Sequence, residues 1–334
     1  MSRHWHIVGL VAFGLGALAL TANPSPAQNW PQRTVRVIVP LPPGVGLDVI
    51  ARLFAERLGA RWGQAVIIEN LPGADGIVAA REFVTKRDDH TLLYFGAALT
   101  SINPLLHEKL PYDPDRDFVP IASTSENALA VAVSPALGAG SLSELAQLAR
   151  SRPSKLTWAA TPGVPYFAFA AFAKISGGEM VQASYRDFNQ AFIDLGEGRI
   201  EVVAAGLTPL LPHVSAGRIK LLAFINRDRP PVAPDIPTVA EAGYPNLPLS
   251  GPTGFFGWRD MPAELRERIA GDIREFAADP QIRERLAKIG SVVRASTPAE
   301  FSAAIEQQRA EIAAVAKMIG TKQSTVHGYV CDLR

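Results

Sequence analysis

The chain has 334 residues, 48% of them hydrophobic and 19% charged, which excludes a disordered or collagen-like polymer and suggests about two domains. With 33 Lys+Arg against 32 Asp+Glu there is no basic stripe for phosphates, so no nucleic acid is expected as a partner. A single cysteine, Cys331, excludes an internal disulfide and a Cys-based zinc cluster.

Residues 1–27 have the pattern of a secretory signal. Arg3, His4 and His6 make a polar start, an apolar stretch follows over residues 7–20, and Ser25-Pro26-Ala27 is a small-x-small cleavage site. That apolar run is shorter than the roughly 20 residues a membrane span needs. Cleavage is expected near Ala27, and without a cysteine after the cut no lipid anchor is expected. The mature protein is then periplasmic.

From residue 34 onward, short β-branched runs alternate with amphipathic stretches, the pattern of a mainly parallel sheet with crossover helices. Residues 34–39 (TVRVIV) predict a strand. Ile50, Phe54 and Leu58 predict a helix over residues 47–59, closed by Gly59. Strands at 66–69 and 91–95 flank a helix at 76–86. A second series begins with a strand at 128–133. Ser141 and Glu144 then form a capping box for a helix ending before Pro153. Strands follow at 155–159, 180–184, 201–204 and 220–225. Residues 253–258 predict one more strand, and Leu265, Ile269, Ile273 and Phe276 mark a long helix. Thr297, Pro298 and Glu300 combine an N-cap, an N1 proline and a capping-box acid ahead of a closing helix over 299–319. The tail, residues 321–334, has no sustained period.

Two glycine loops sit between a strand and a helix, where glycine lets backbone approach a ligand and a helix N-terminus offers free N–H groups and partial positive charge. The first contains Pro43, Gly44, Val45, Gly46 and Asp48; the second contains Thr161, Pro162, Gly163, Val164 and Pro165. One small anion held between them is the functional reading, and a plain tight turn is the alternative for the first loop. A dinucleotide site, with Glu69 on the ribose, is a rival. It lacks the third glycine of the fingerprint, because Val49 stands there, and it sets Asp48 beside a pyrophosphate. Tyr166 and Phe167 are open between core and cleft wall.

Catalytic signals are thin. There is no G-x-S-x-G elbow and no H-E-x-x-H, and His90, His107, His213 and His327 are scattered. No catalytic residue, cofactor or metal is expected. Asp187, next to Tyr185-Arg186, either N-caps a helix at 188–195 or meets a ligand amine or hydroxyl.

Several pieces of sequence then fall into a known order. They are P-x-G-x-G-x-D from Pro42 to Asp48, Gly63-Gln64 before Glu69-Asn70-Leu71-Pro72-Gly73-Ala74, and Leu110-Pro111-Tyr112-Asp113-Pro114 with Asp117-Phe118. Ser154-Lys155-Leu156-Thr157 precedes Thr161-Pro162-Gly163, and Asp235-Ile236-Pro237-Thr238-Val239-Ala240-Glu241-Ala242-Gly243 follows later. In order and spacing the chain resembles the Bug-type periplasmic solute-binding proteins of tripartite tricarboxylate transporters, from Trp30 to about Ile319. The resemblance implies an α/β, two-lobed clamshell, and a ligand carboxylate held by the two loops, partly through water. It adds Ala97, Thr100 and Ser101 as cleft-lining positions and keeps Tyr185 and Asp187 as ligand candidates.

The expected lobes are residues 28–127 with 250–334, and residues 128–249. The expected function is capture of a small organic acid by a monomer that delivers it to membrane permease subunits. An exported α/β enzyme acting on a carboxylate, or a protein presenting its ligand to a sensor kinase, are the alternatives. The chain departs from the family pattern at Val45 (usually glycine), Leu47 (commonly a hydroxyl residue) and Asp187 (usually glycine). Val164, Pro165 and Phe167 also stand where serine and histidine often follow the second loop's glycine.

Overall fold

Every residue of β1 (Val35–Val39) except Arg36 is buried, and the two-residue strand period sends Val35, Val37 and Val39 to one side of a sheet and Ile38 to the other. Such a strand must be covered on both faces, and the rest of the chain supplies the cover. The computed structural model describes residues 30–44, 46–247, 249 and 251–321; the signal-like segment with its Ala27 site, Val45, and the tail beyond Thr321 lie outside these.

After β1 come α1 (Gly46–Trp62), β2 (Val66–Asn70), α2 (Ile77–Lys86), β3 (Thr91–Phe95), α3 (Asn103–Leu106), α4 (Pro114–Asp117) and β4 (Phe118–Asn127). The chain then builds β5 (Leu129–Val133), α5 (Leu142–Ser151), β6 (Leu156–Ala160), α6 (Val164–Ile175), β7 (Met180–Gln182), α7 (Phe188–Gly196), β8 (Val202–Gly206), α8 (Leu207–Ser215) and β9 (Lys220–Phe224). It closes with β10 (Pro252–Trp258), α9 (Ala263–Ala277), α10 (Pro280–Lys288), β11 (Ser291–Val293) and α11 (Pro298–Ile319).

Two sheets result, in the orders β11-β4-β10-β3-β1-β2 and β7-β6-β8-β5-β9. The two βαβ series of the sequence are their parallel parts: β1 pairs with β2 and β3, and β6 with β7 and β8. Each sheet is nonetheless mixed. β10 lies antiparallel between β3 and β4, β11 is antiparallel to β4, and β5 is antiparallel to both β8 and β9. An apolar run records burial and carries no strand direction, which is why the sequence reading favoured parallel pairing. The chain crosses to the second sheet after β4 and returns before β10, giving the two-lobed α/β architecture.

Helices cover both faces of both sheets. On the first, α1 (Ile50, Phe54, Leu58) and α9 (Leu265, Ile269, Ile273) cover the Val35 side, while α2 (Ala79, Phe83) and Phe301 of α11 cover the Ile38 side. On the second, α5 and α6 cover the side of Val131 and Trp158, and α7 with α8 cover the side of Ala130 and Val203. α11 serves both sheets: Phe301 and Ile305 join the first core, and Ile312, Val315 and Ala316 join the second. Its capping box is present as expected, with Glu300 N–H donating to Thr297 Oγ1 at 3.2 Å and Thr297 N–H to the Glu300 carboxylate at 2.8 Å.

Candidate functional site

The first glycine loop is tied down by an acid. Asp48 is 1% exposed, and its carboxylate accepts from Gly44 N–H (2.8 Å), Arg52 Nε (2.9 Å) and Asn70 Nδ2 (2.8 Å). Asn70 Nδ2 also donates to Leu41 O at 2.9 Å, and Arg52 donates to Asn70 Oδ1 at 2.9 Å. One buried carboxylate therefore joins the loop, the first turn of α1 and the end of β2. Burial pushes the Asp48 carboxyl up, but the hydrogen bonds from Arg52, Gly44 and Asn70 outweigh it and hold the group below its ordinary value. Gly44 has φ +85°, which favours glycine, and its N–H is spent on Asp48.

The second loop leaves β6 with Thr161 N–H on Ala204 O at 3.0 Å. Gly163 then takes φ 93° and ψ −142°, a conformation that favours glycine, and turns the chain into α6. Phe167 N–H closes the first turn on Gly163 O at 3.3 Å. Pro165 has no N–H to offer, so the donors at this helix start come from Gly163 and Val164.

A cleft of about 570 Å³ lies between these two strand-to-helix connections. From the first lobe it is lined by Leu41, Pro42 and Leu47, by the 72–76 turn and by residues 95–99; from the second, by Pro162 through Phe167. Ile102, Asn103, Leu106, Asn127, Thr253 and Gln308 are among the residues that form the rest of the wall. Of the expected site residues, Ala97, Pro162, Gly163, Val164 and Pro165 line it. Pro43, Gly44, Gly46, Asp48 and Thr161 belong to the same two loops but are not among the lining residues, and Val45 lies outside the described residues. Tyr166 and Phe167 both line the cleft, and Phe167 is also part of the second core.

Four candidates are engaged elsewhere. Thr100 and Ser101 are buried with their hydroxyls 3.3 Å apart, in a wide helical turn (Ala98–Ile102) whose Ala98, Leu99 and Ile102 face the cleft instead. Asp187 caps α7, accepting from Asn189 N–H at 2.9 Å. Tyr185 donates to Asp194 at 2.8 Å; burial, helped by that carboxylate, pushes its phenol up to about 12.

Beneath the 72–76 turn, Asn103 Nδ2 donates to Asp75 O (3.1 Å) and Tyr112 OH (3.2 Å), and Tyr112 donates to Leu99 O (3.1 Å). These bonds hold Asp75, one of the cleft-lining residues, at φ 54°, ψ 30°. Sequence reasoning missed Asn70, Asp75, Asn103 and Gln308 as parts of this region. Gln308 carried a readable signal, since it interrupts the apolar face of α11 between Ile305 and Ile312.

Two further depressions differ in character. One of about 380 Å³ has Arg227 and Arg294, already paired with Glu311 and with Glu126 and Asp228. Another, of about 410 Å³ on the first lobe, gathers Arg81, Arg87, Arg116 and Arg259 around Asp117. Among the described residues no group of three His, Cys, Asp or Glu side chains could hold a metal, and no helix is long and apolar enough to cross a membrane.

The family model described as "Tripartite tricarboxylate transporter family receptor" matches residues 50–321. The chain belongs to this family. It is 32% identical to a UPF0065 protein of Bordetella bronchiseptica over 298 residues, covering 88% of each chain. Among solved structures, a periplasmic transporter superposes with TM-score 0.76 at 29% identity, covering 88% of this chain and 100% of that one. R. palustris Rpa4515 with adipate superposes with TM-score 0.77 at 27% identity, covering 87% and 98%.

Within this receptor family the dinucleotide rival has no support from the geometry. Glu69, its ribose acid, is ion-paired with Arg36 and does not line the cleft.

Proposed function

We propose that this receptor is an exported, non-enzymatic protein that captures a small organic acid between residues 28–127 with 250–334 on one side and residues 128–249 on the other. The observation that carries the reading is the cleft between the Leu41–Leu47 connection and the Pro162–Phe167 turn, one from each sheet, at a helix start that leaves backbone donors for a carboxylate. Family membership and the adipate of Rpa4515 support a carboxylate as the occupant. The signal-like residues 1–27 support delivery to the periplasm, where a monomer would hand its ligand to the permease subunits of a tripartite transporter.

A thermal-shift screen of carboxylates on the mature protein tests this. A ligand at about 100 times its dissociation constant adds roughly 2.7 kcal/mol of stability, enough for a clear rise in melting temperature. Melting temperatures that ignore every carboxylate would count against the reading, and consumption of a carboxylate during incubation would favour the enzyme alternative.

A further inference from the structure

Resting on the reading of the cleft as a carboxylate site, we infer that its ligand is a monocarboxylate with an apolar or aromatic body rather than a small hydroxylated di- or tricarboxylate. Charge is the first argument. Among the described residues that line the cleft, Asp75 is the only one of a charged type. The internal residues outside the description, Val45, Pro248 and Ser250, are uncharged in the sequence. His107, whose Nε2 is 3.6 Å from the Asp75 carboxylate, is not among the lining residues. One ligand carboxylate finds the backbone donors at the start of α6. A second would be desolvated without a cation and would share the space with Asp75.

The walls point the same way. Leu41, Leu47, Leu99, Ile102, Leu106 and Val164 all line the cleft, and Leu41 is 38% exposed, a large apolar side chain left open to solvent. Several polar side-chain atoms there are already engaged within the protein. Asn103 Nδ2 serves Asp75 O and Tyr112, Asn127 Oδ1 accepts from Ser291, and Gln308 Nε2 donates to Leu249 O at 3.4 Å. Hydroxyl groups on a ligand would lose water and find few replacements. Selectivity arises as much from what the cleft fails to pair as from what it contacts.

The test is calorimetric titration of the mature full chain with benzoate, phenylacetate and hexanoate, with adipate, malate and citrate, and with benzamide as the uncharged analogue of benzoate. At least one monocarboxylate is expected to bind roughly tenfold or more tightly than any of the polyacids. Asp75→Asn, which keeps a residue tolerant of the left-handed backbone, is expected to narrow that gap by strengthening polyacid binding while the monocarboxylate affinity holds. Tightest binding of adipate, malate or citrate overturns the inference and leaves the carboxylate reading standing, and an unchanged gap in folded Asp75→Asn overturns its charge argument. Binding of benzamide as tight as that of benzoate, or no binding by any acid, overturns the carboxylate reading itself.

Discussion

Asn70 Nδ2 donates to Asp48 Oδ1 at 2.8 Å, across 22 residues of sequence, and thereby fixes the first glycine loop to the strand end beside it. An acid that sequence alone sets awkwardly close to an anion is thus fully paired, with Arg52, Gly44 and Asn70, and acts as a strut. Asp48→Ala and Asn70→Ala are each expected to destabilise the fold by roughly 1–3 kcal/mol, because the first removes the carboxylate that joins Gly44, Arg52 and Asn70 and the second leaves that buried carboxylate short of a donor. In a double-mutant cycle the combined loss should fall short of the sum. Strict additivity in urea unfolding would show that the two residues act independently.

Acid should weaken the protein through the same group. Asp48 is held below its ordinary value, on balance, by Arg52, Gly44 and Asn70, and Asp117 by its neighbour Arg116 and by Asp113 N–H. A carboxyl with a depressed folded-state pKa contributes stability that is present above its unfolded value and is lost as pH falls through the folded one. Melting temperature is therefore expected to hold near neutrality and to drop below about pH 4. Asp48→Asn should start lower at pH 7 and lose less on acidification; an acid profile identical to that of the parent protein would remove Asp48 from the explanation.

At Gly163 the constraint is in the backbone. An added Cβ would meet only Ile102 Cδ1 at 3.7 Å, an ordinary contact, but φ 93° with ψ −142° costs any other residue roughly 1–3 kcal/mol. Gly163→Ala is expected to lower or abolish ligand binding by shifting the start of α6 while far-UV circular dichroism is preserved. Unaltered affinity in this variant would detach the second loop from the site.

Asp187→Ala should behave as the loss of a helix cap. The side chain is exposed and accepts from Asn189 N–H, so the expected cost is about 1 kcal/mol of stability with no change in the order of preferred ligands. A reordered ligand series would restore the recognition role left open by the sequence.

What the sequence made legible follows from what periodicity encodes. β1, β3, α9 and α11 could be read because their apolar residues recur at strand or helix spacing and their caps are explicit, as with Thr297 and Glu300. β4 could not. It is ten residues long, holds Pro120 and runs Ser123-Thr124-Ser125 through the interior, where the hydroxyls are satisfied by Ser296, Arg294 O, Tyr94 OH and Thr253 O. Polar residues buried by tertiary hydrogen bonds leave no apolar signal. For the site, the strand-glycine-helix grammar located both loops, but the division between residues that face the cleft and residues that brace it depends on long-range pairs such as Asp48 with Asn70. Thr100 and Ser101 illustrate the remainder: a hydroxyl suggests a ligand contact, and the wide turn at Ala98–Ile102 directs Leu99 and Ile102 to the cleft in their place.

The most direct measurement is a crystal structure of the mature protein with the tightest-binding carboxylate from the titrations. The ligand is expected in the cleft, with its carboxylate at the Gly163–Tyr166 helix start and its body against Leu41 and Leu47. A carboxylate seated instead in the Arg81, Arg87, Arg116 and Arg259 depression, with the cleft holding only water, would contradict the account.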